Sequence, residues 1–129
     1  MGRINKTLEK DEVLIPCIKL CKRLKGMGYI IKWRRLDALD YYHEPGDPDL
    51  EIWFIKDNTL WILMAECKAP KGKLRPSQVE YRDKYKYFKN VIYLEIRDVE
   101  ELKKSIMNIA DNINFNPSSF KEMSEYEIT

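Results

Sequence analysis

Cysteine is scarce. Cys17, Cys21 and Cys67 are the only three in 129 residues, an odd number with no CxxC spacing. That argues against a disulfide framework and a cysteine-built zinc site, and predicts a reducing environment. Long apolar runs are missing as well, so no segment reads as a membrane span. The amino terminus is polar and charged, without the apolar stretch and small-residue cleavage site of a secretory leader. These absences predict an intracellular protein, cytoplasmic or in a host cytoplasm if the chain is viral. Charge of one sign is also lacking: the net charge of +2 is too small by itself to announce a nucleic-acid partner. Neither an internal repeat nor a second domain is visible. At 44% hydrophobic and 34% charged residues, the composition is that of one soluble globular domain with a real core.

What is present reads as alternating helices and strands. Leu14, Cys17, Ile18, Cys21 and Leu24 recur at helical spacing over about Lys10 to Leu24, with Gly26 and Gly28 available to end the helix. Pro16 either kinks this helix or sets its true start. Tyr29–Trp33 predicts a first strand, followed by a polar, aromatic loop from Leu36 to Pro48. Leu50–Ile55 and Leu60–Ala65 are two β-rich arms, Pro76–Asn90 a second helix, Val91–Ile96 a strand and Val99–Ile109 a closing helix. In the second helix Val79, Tyr85, Tyr87 and Phe88 supply the apolar bulk. This order predicts an α/β fold, a mixed sheet with helices on both faces. The domain is placed at residues 1–112, and 113–129 is an acidic, loosely held tail.

The two arms place acids together. If Asp57-Asn58 is a two-residue turn, Lys56 pairs with Thr59, and counting outward sets Asp49 opposite Glu66, with Lys68 on the same face. Like charges facing each other destabilise a ladder unless a cation or a proton lies between them. Grouped carboxylates suit Mg²⁺ or Mn²⁺ better than zinc, and a neighbouring ammonium serves negative charge developing in phosphate chemistry. The inference depends on register, since a slip of one residue sends the acids to opposite faces.

Gly46-Asp47-Pro48-Asp49-Leu50, followed by Glu66-Cys67-Lys68-Ala69-Pro70-Lys71-Gly72-Lys73-Leu74-Arg75-Pro76-Ser77-Gln78, resembles the signature of the VRR-NUC family within the PD-(D/E)XK nuclease superfamily. The small standalone phage-type members are the nearest in pattern, and the likeness covers roughly residues 10 to 105. The resemblance implies a restriction-endonuclease-like α/β/α sandwich with a central mixed β-sheet. It also implies a metal shell from Asp49, Glu66 and the main-chain carbonyl of Cys67. Gln78 would lie by the active site, and Glu12, or else Glu9, would join from the first helix. The activity implied is structure-selective cleavage of branched or Holliday-junction DNA in replication, recombination or repair, by a homodimer.

Ordinary explanations stand beside each of these. Asp49 after Pro48 is also a common strand-end aspartate, and Glu66 with Lys68 could be charges that keep a strand edge soluble. Acids at a helix start are favoured by the dipole alone, which covers Glu9 and Glu12. The thiol of Cys67 points away from Glu66 and Lys68, into the core. Lys71, Lys73 and Arg75 follow directly on the candidate site and are read as phosphate contacts. Lys32, Arg34 and Arg35, grouped with Lys19, Lys22, Arg23 and Lys25, are either a second such patch or a solvated face. His43, beside Tyr41 and Tyr42, is more often neither a ligand nor a proton donor. Tyr81, Tyr85 and Tyr87 are read as core or helix surface rather than stacking platforms. Trp33, Trp53 and Trp61 are read as core.

The reading is therefore a Mg²⁺- or Mn²⁺-dependent endodeoxyribonuclease. In it Asp49 and Glu66 hold the metal and Lys68, a poor base at its free pKa of about 10.4, stabilises the phosphate electrostatically. A catalytically weak or inactive nucleic-acid-binding module of the same fold is the alternative. It would have no need of all three of Asp49, Glu66 and Lys68. A protein-binding scaffold and a small-molecule phosphoesterase are further rivals, the latter requiring an enclosed pocket.

Overall fold

Strands β2 (Leu50–Lys56) and β3 (Thr59–Cys67) form where β-branched, aliphatic and aromatic residues are densest. Asp57 and Asn58 both adopt positive φ, 52° and 59°, as a two-residue type I′ turn requires. Lys56 pairs with Thr59 and Leu50 with Ala65, the register expected from the sequence. The computed structural model describes residues 8–36 and 46–113. His43, Tyr41, Tyr42 and the tail beyond Ile113 lie outside the described residues.

β1 (Lys32–Arg35) runs antiparallel to β2, and β4 (Val91–Ile96) parallel to β3, giving a mixed four-stranded sheet in the order β1-β2-β3-β4. β1 begins three residues later than the sequence suggests, although Ile31 already donates to the Trp53 carbonyl at 2.8 Å. Helix α1 (Ile15–Gly26) is entered through a π-helical segment, Glu9–Leu14, in which the Ile15 N–H reaches back to the Lys10 carbonyl. Pro16 has no N–H to offer the carbonyl four residues before it, so wider winding ahead of it gives up little. Helix α3 (Val99–Ile109) has the expected bounds, and Asp98 caps it by accepting from the Glu100 N–H at 2.7 Å.

Helix α2 (Pro76–Tyr85) is shorter than expected. Asn90, at φ 62°, gives its carbonyl to the Ile62 N–H and so already belongs to the entry of β4, leaving 86–89 as the reversal between helix and strand. Tyr87 and Phe88, expected to supply apolar bulk to this helix, consequently lie beyond its end and are exposed.

The alternation along the strands divides the helices. Leu50, Ile52, Phe54, Leu63, Ala65, Cys67 and Ile96 form one core with Cys17, Leu20, Cys21 and Leu24 of α1 and Leu102 and Ile106 of α3. The opposite face carries Met64, Glu66, Tyr93 and Glu95 against α2. The molecule is thus mixed α/β with helices on both sides of the sheet, an arrangement compatible with an α/β/α sandwich. Among the described residues no helix is long and apolar enough to cross a membrane. At the far end Ile113 donates to the Gly28 carbonyl at 3.1 Å, so the chain is still bound to the domain where the acidic tail was expected to begin.

Gly46 fixes how the segment before β2 meets α2. Its φ is +96°, and a Cβ there would strike the Ser77 carbonyl and lie 2.8 Å from the Tyr81 ring. Gly46→Ala is expected to cost about 1–3 kcal/mol, read as a lowered midpoint in urea denaturation at unchanged slope.

Candidate functional site

The paired register of β2 and β3 ends at Leu50 and Ala65, and Asp49 follows one residue beyond it, its N–H on Ala65 rather than squarely opposite Glu66 as the hairpin count expects. The Asp49 N–H donates to the Ala65 carbonyl at 3.0 Å, and its carboxylate Oδ2 accepts from the Cys67 N–H at 2.9 Å. The strand-end aspartate is therefore clamped to the main chain between Glu66 and Lys68. Glu66 and Lys68 project from β3 and its continuation to the same face, and both are buried, at 3% and 5% exposure. Lys68 Nζ lies 3.9 Å from Glu66 Oε1 and 3.8 Å from Glu9 Oε1.

Gln78 is the most informative partner. Its backbone N–H bonds the Arg75 carbonyl at 2.9 Å and its Oε1 accepts from the Arg75 N–H at 2.8 Å, which seals the first turn of α2. The other end of the amide, Nε2, donates to Glu66 Oε1 at 2.8 Å. One oxygen of Glu66 is thereby held while the other, Oε2, is buried with no hydrogen-bond partner. An orphaned carboxylate oxygen in a dry site is costly unless something outside the protein completes it.

Burial, and after it the Asp49 carboxylate, push Glu66 up to about 9 against the opposing pull of Lys68 and Arg75. Without a cation the pair solves its repulsion by holding a proton. The donor set fits a hard divalent ion: two carboxylates, one oxygen of which lacks a partner, beside the main chain of Cys67. Among the described residues no three His, Cys, Asp or Glu side chains converge on one point. Mg²⁺ is commonly held by one or two carboxylates while keeping several waters, so two side chains suffice for it and would not suffice for an all-protein cage.

From the first helix it is Glu9, in the π-helical segment, that reaches Lys68, whereas Glu12 is exposed. The wider winding between Glu9 and Leu14 changes which acid faces the sheet, and spacing in the sequence does not register that change. The thiol of Cys67 is in the core with Cys17 and Cys21, as expected, and burial holds the Cys21 thiol up at about 12. Lys71, Lys73 and Arg75 are all exposed in the loop leaving the site.

The remaining basic residues do not form one patch. Lys32 and Arg34 share the Glu66 face at the distant β1 edge, where Lys32 sits over the Trp53 ring at 4.7 Å and Arg34 pairs with Glu51. Arg35, in register with core-facing Leu50, belongs to the other face, as does α1 with Lys19, Lys22 and Arg23.

Three groups escaped the sequence reading. Glu95 is the parallel register partner of Glu66, so two strands present acids side by side. Arg97 holds Glu95 Oε2 at 2.9 Å and the Gly72 carbonyl at 2.8 Å, tying the basic loop to β4. Tyr93 lies two residues before Glu95 on the same face, and its buried hydroxyl has no partner. Their signal was absent because nothing local sets the register of a parallel pair.

No family model, no curated protein and no solved structure matches the chain.

A carboxyl that ionises near 4.5 when unfolded and near 9 in the metal-free fold contributes stability fully present below 4.5 and lost as pH rises toward 9. In EDTA the unfolding free energy is expected to fall across that window, by at most about 1.4 kcal/mol per pH unit. Chemical denaturation of Glu66→Gln over the same pH series should show that slope removed.

Proposed function

We propose that this chain is a Mg²⁺- or Mn²⁺-dependent endodeoxyribonuclease, of the VRR-NUC kind that its sequence resembles, hydrolysing phosphodiester bonds in DNA. The observation that carries the reading is Glu66, a buried carboxylate with one oxygen held by Gln78, the other without a partner, and Asp49 and Lys68 beside it. A fold has little use for that arrangement unless a cation joins it.

Asp49 and Glu66, with the Cys67 carbonyl, would hold the ion. When bound, such an ion supplies Lewis-acid polarisation of the scissile phosphate. The protein's own residues supply the rest. Lys68 is a buried cation aimed at the same face, and it stabilises the negative charge that grows on the phosphoryl oxygens. Glu9 holds the Lys68 ammonium from the helix side. Gln78 fixes the Glu66 carboxylate so that Oε2 remains the available oxygen. Lys71, Lys73 and Arg75 meet the flanking phosphates of a polymer on an open surface. That openness favours a nucleic acid over a small phosphoester, which needs an enclosed pocket.

Branched or junction DNA is the substrate class proposed, cut by a homodimer that offers one site to each of two strands. The alternative, a binding module without activity, is less favoured because Asp49, Glu66, Lys68 and Gln78 are gathered at one place at the cost of an unsatisfied buried oxygen.

Labelled linear, nicked, flap and four-way-junction DNA incubated in Mg²⁺ or Mn²⁺ tests this reading. Asp49→Ala, Glu66→Ala and Lys68→Ala should each lower cleavage at least about 100-fold, and Gln78→Ala about 10- to 100-fold. Binding without cleavage, unchanged across the four variants, would reduce the protein to the binding module. Independently of activity, Mn²⁺ should raise the melting temperature of the wild type and leave Asp49→Ala/Glu66→Ala unmoved.

A further inference from the structure

A second feature shares the face of the sheet that carries Glu66. Between α2 and the outer strand β4 lies a cavity of about 310 Å³, lined by Arg82, Tyr85, Lys86, Tyr93 and Glu95 among others. Tyr85 and Tyr93 stack there, ring centres 6.0 Å apart and 17° from parallel. The turn that follows α2 leaves Tyr87 89% and Phe88 59% exposed. Folding buries aromatic rings where it can, and the neighbouring Tyr85 is half-buried against Tyr93, unlike these two.

We propose that this cavity, together with the aromatic turn that follows α2, binds an unpaired nucleotide of a single-stranded segment near the phosphate that is cut. The inference rests on the nuclease reading for the word "cut", and on its own geometry for the binding.

Rings and cations stand together in the way unpaired nucleotides require: faces for the bases, and Arg82 and Lys86 of the lining for the phosphates. Asp83 presently occupies the anion position. Its carboxylate is 3.3 Å from Arg82 Nε and 3.3 Å from Lys86 Nζ, and it is exposed, so a phosphate can displace it. Glu95, the acid of the lining itself, is neutralised by Arg97 at 2.9 Å and lies 3.8 Å from Arg82. A volume near 310 Å³ is at the small end of ligand pockets, enough for one base and too little for a peptide segment.

Position supports the same occupant. Glu95 lines one end of the cavity and is the register partner of Glu66, so at that end the two sites stand one strand spacing apart, roughly 5 Å. α2 runs between them, touching Glu66 through Gln78, Glu95 through Arg82 and Tyr93 through Tyr85. A strand whose phosphate lies against Lys68 and Arg75 can therefore follow α2 and deliver a base further along to Tyr87 and Phe88, beyond the far end of the helix. Such a base must be unstacked, so branch points and flaps supply it and continuous duplex does not.

The test uses fluorescence anisotropy of a labelled oligothymidylate and of a duplex of matched length, in EDTA so that cutting cannot intervene. Tyr87→Ala/Phe88→Ala should weaken single-strand binding at least tenfold, the loss of one stack of about 1.4 kcal/mol, and leave duplex binding within twofold. Tyr87→Phe/Phe88→Tyr should restore it. Asp83→Asn should tighten single-strand binding, and Lys86→Ala should lower its salt dependence by about one phosphate contact. Equal losses for single strand and duplex, or no loss for either, would overturn the subsite. A change in oligomeric state with single-strand affinity intact would overturn it too, by giving the rings to a second copy of the chain. Absence of cleavage on every substrate, with the selective loss intact, would sink the nuclease reading and leave the subsite standing.

Discussion

Two carboxylates on one dry patch of sheet cannot both carry charge without compensation, and the conformation around them follows from that constraint. Asp49 is drawn onto the Cys67 N–H, Glu66 onto the Gln78 amide, and Lys68 is held by Glu66 and Glu9 together. Each of these contacts also orders an element. The first closes the mouth of the β2–β3 hairpin, the second docks the start of α2 on β3, and the third brings the π-helical segment before α1 to the sheet. The acids thus act as the point at which three separate stretches of chain are joined.

That economy has a stability cost at the site itself, where Glu66 keeps a buried oxygen unsatisfied and gains a proton in place of a partner. The core on the other side of the sheet compensates. Phe54, Leu50, Ile52, Leu63, Leu102 and Ile106 are fully buried there, with α1 and α3 laid across them. Division of labour between the two faces sets Glu66, Lys68 and Gln78 on the α2 side and leaves the apolar packing to the face under α1 and α3.

The hairpin was legible in the sequence because a two-residue turn sets register arithmetically, and Asp57-Asn58 permits no other comfortable count. Asp49, Glu66 and Lys68 came with it. Gln78 was legible from the motif but its double role was not, since only the docking of α2 shows one amide serving both Arg75 and Glu66. The choice between Glu9 and Glu12 was hidden by the π winding, and the end of α2 by the turn that Asn90 makes at positive φ. Glu95, Arg97 and Tyr93 were beyond reach for a different reason: parallel strands are joined through a helix, and the residues in between carry no count of which rung meets which.

Arg97 reaches from β4 to the Gly72 carbonyl while its other nitrogen holds Glu95. Gly72 itself packs 3.2 Å from both the Ala69 carbonyl and Glu9 Oε1, measured from where a Cβ would stand. The loop bearing Lys71, Lys73 and Arg75 is consequently stapled from below by a charge-assisted bond, and the conformational entropy of ordering its backbone is surrendered when the chain folds. A polyanion of the kind proposed above would meet a backbone already ordered, so that salt concentration rather than loop closure would govern its approach.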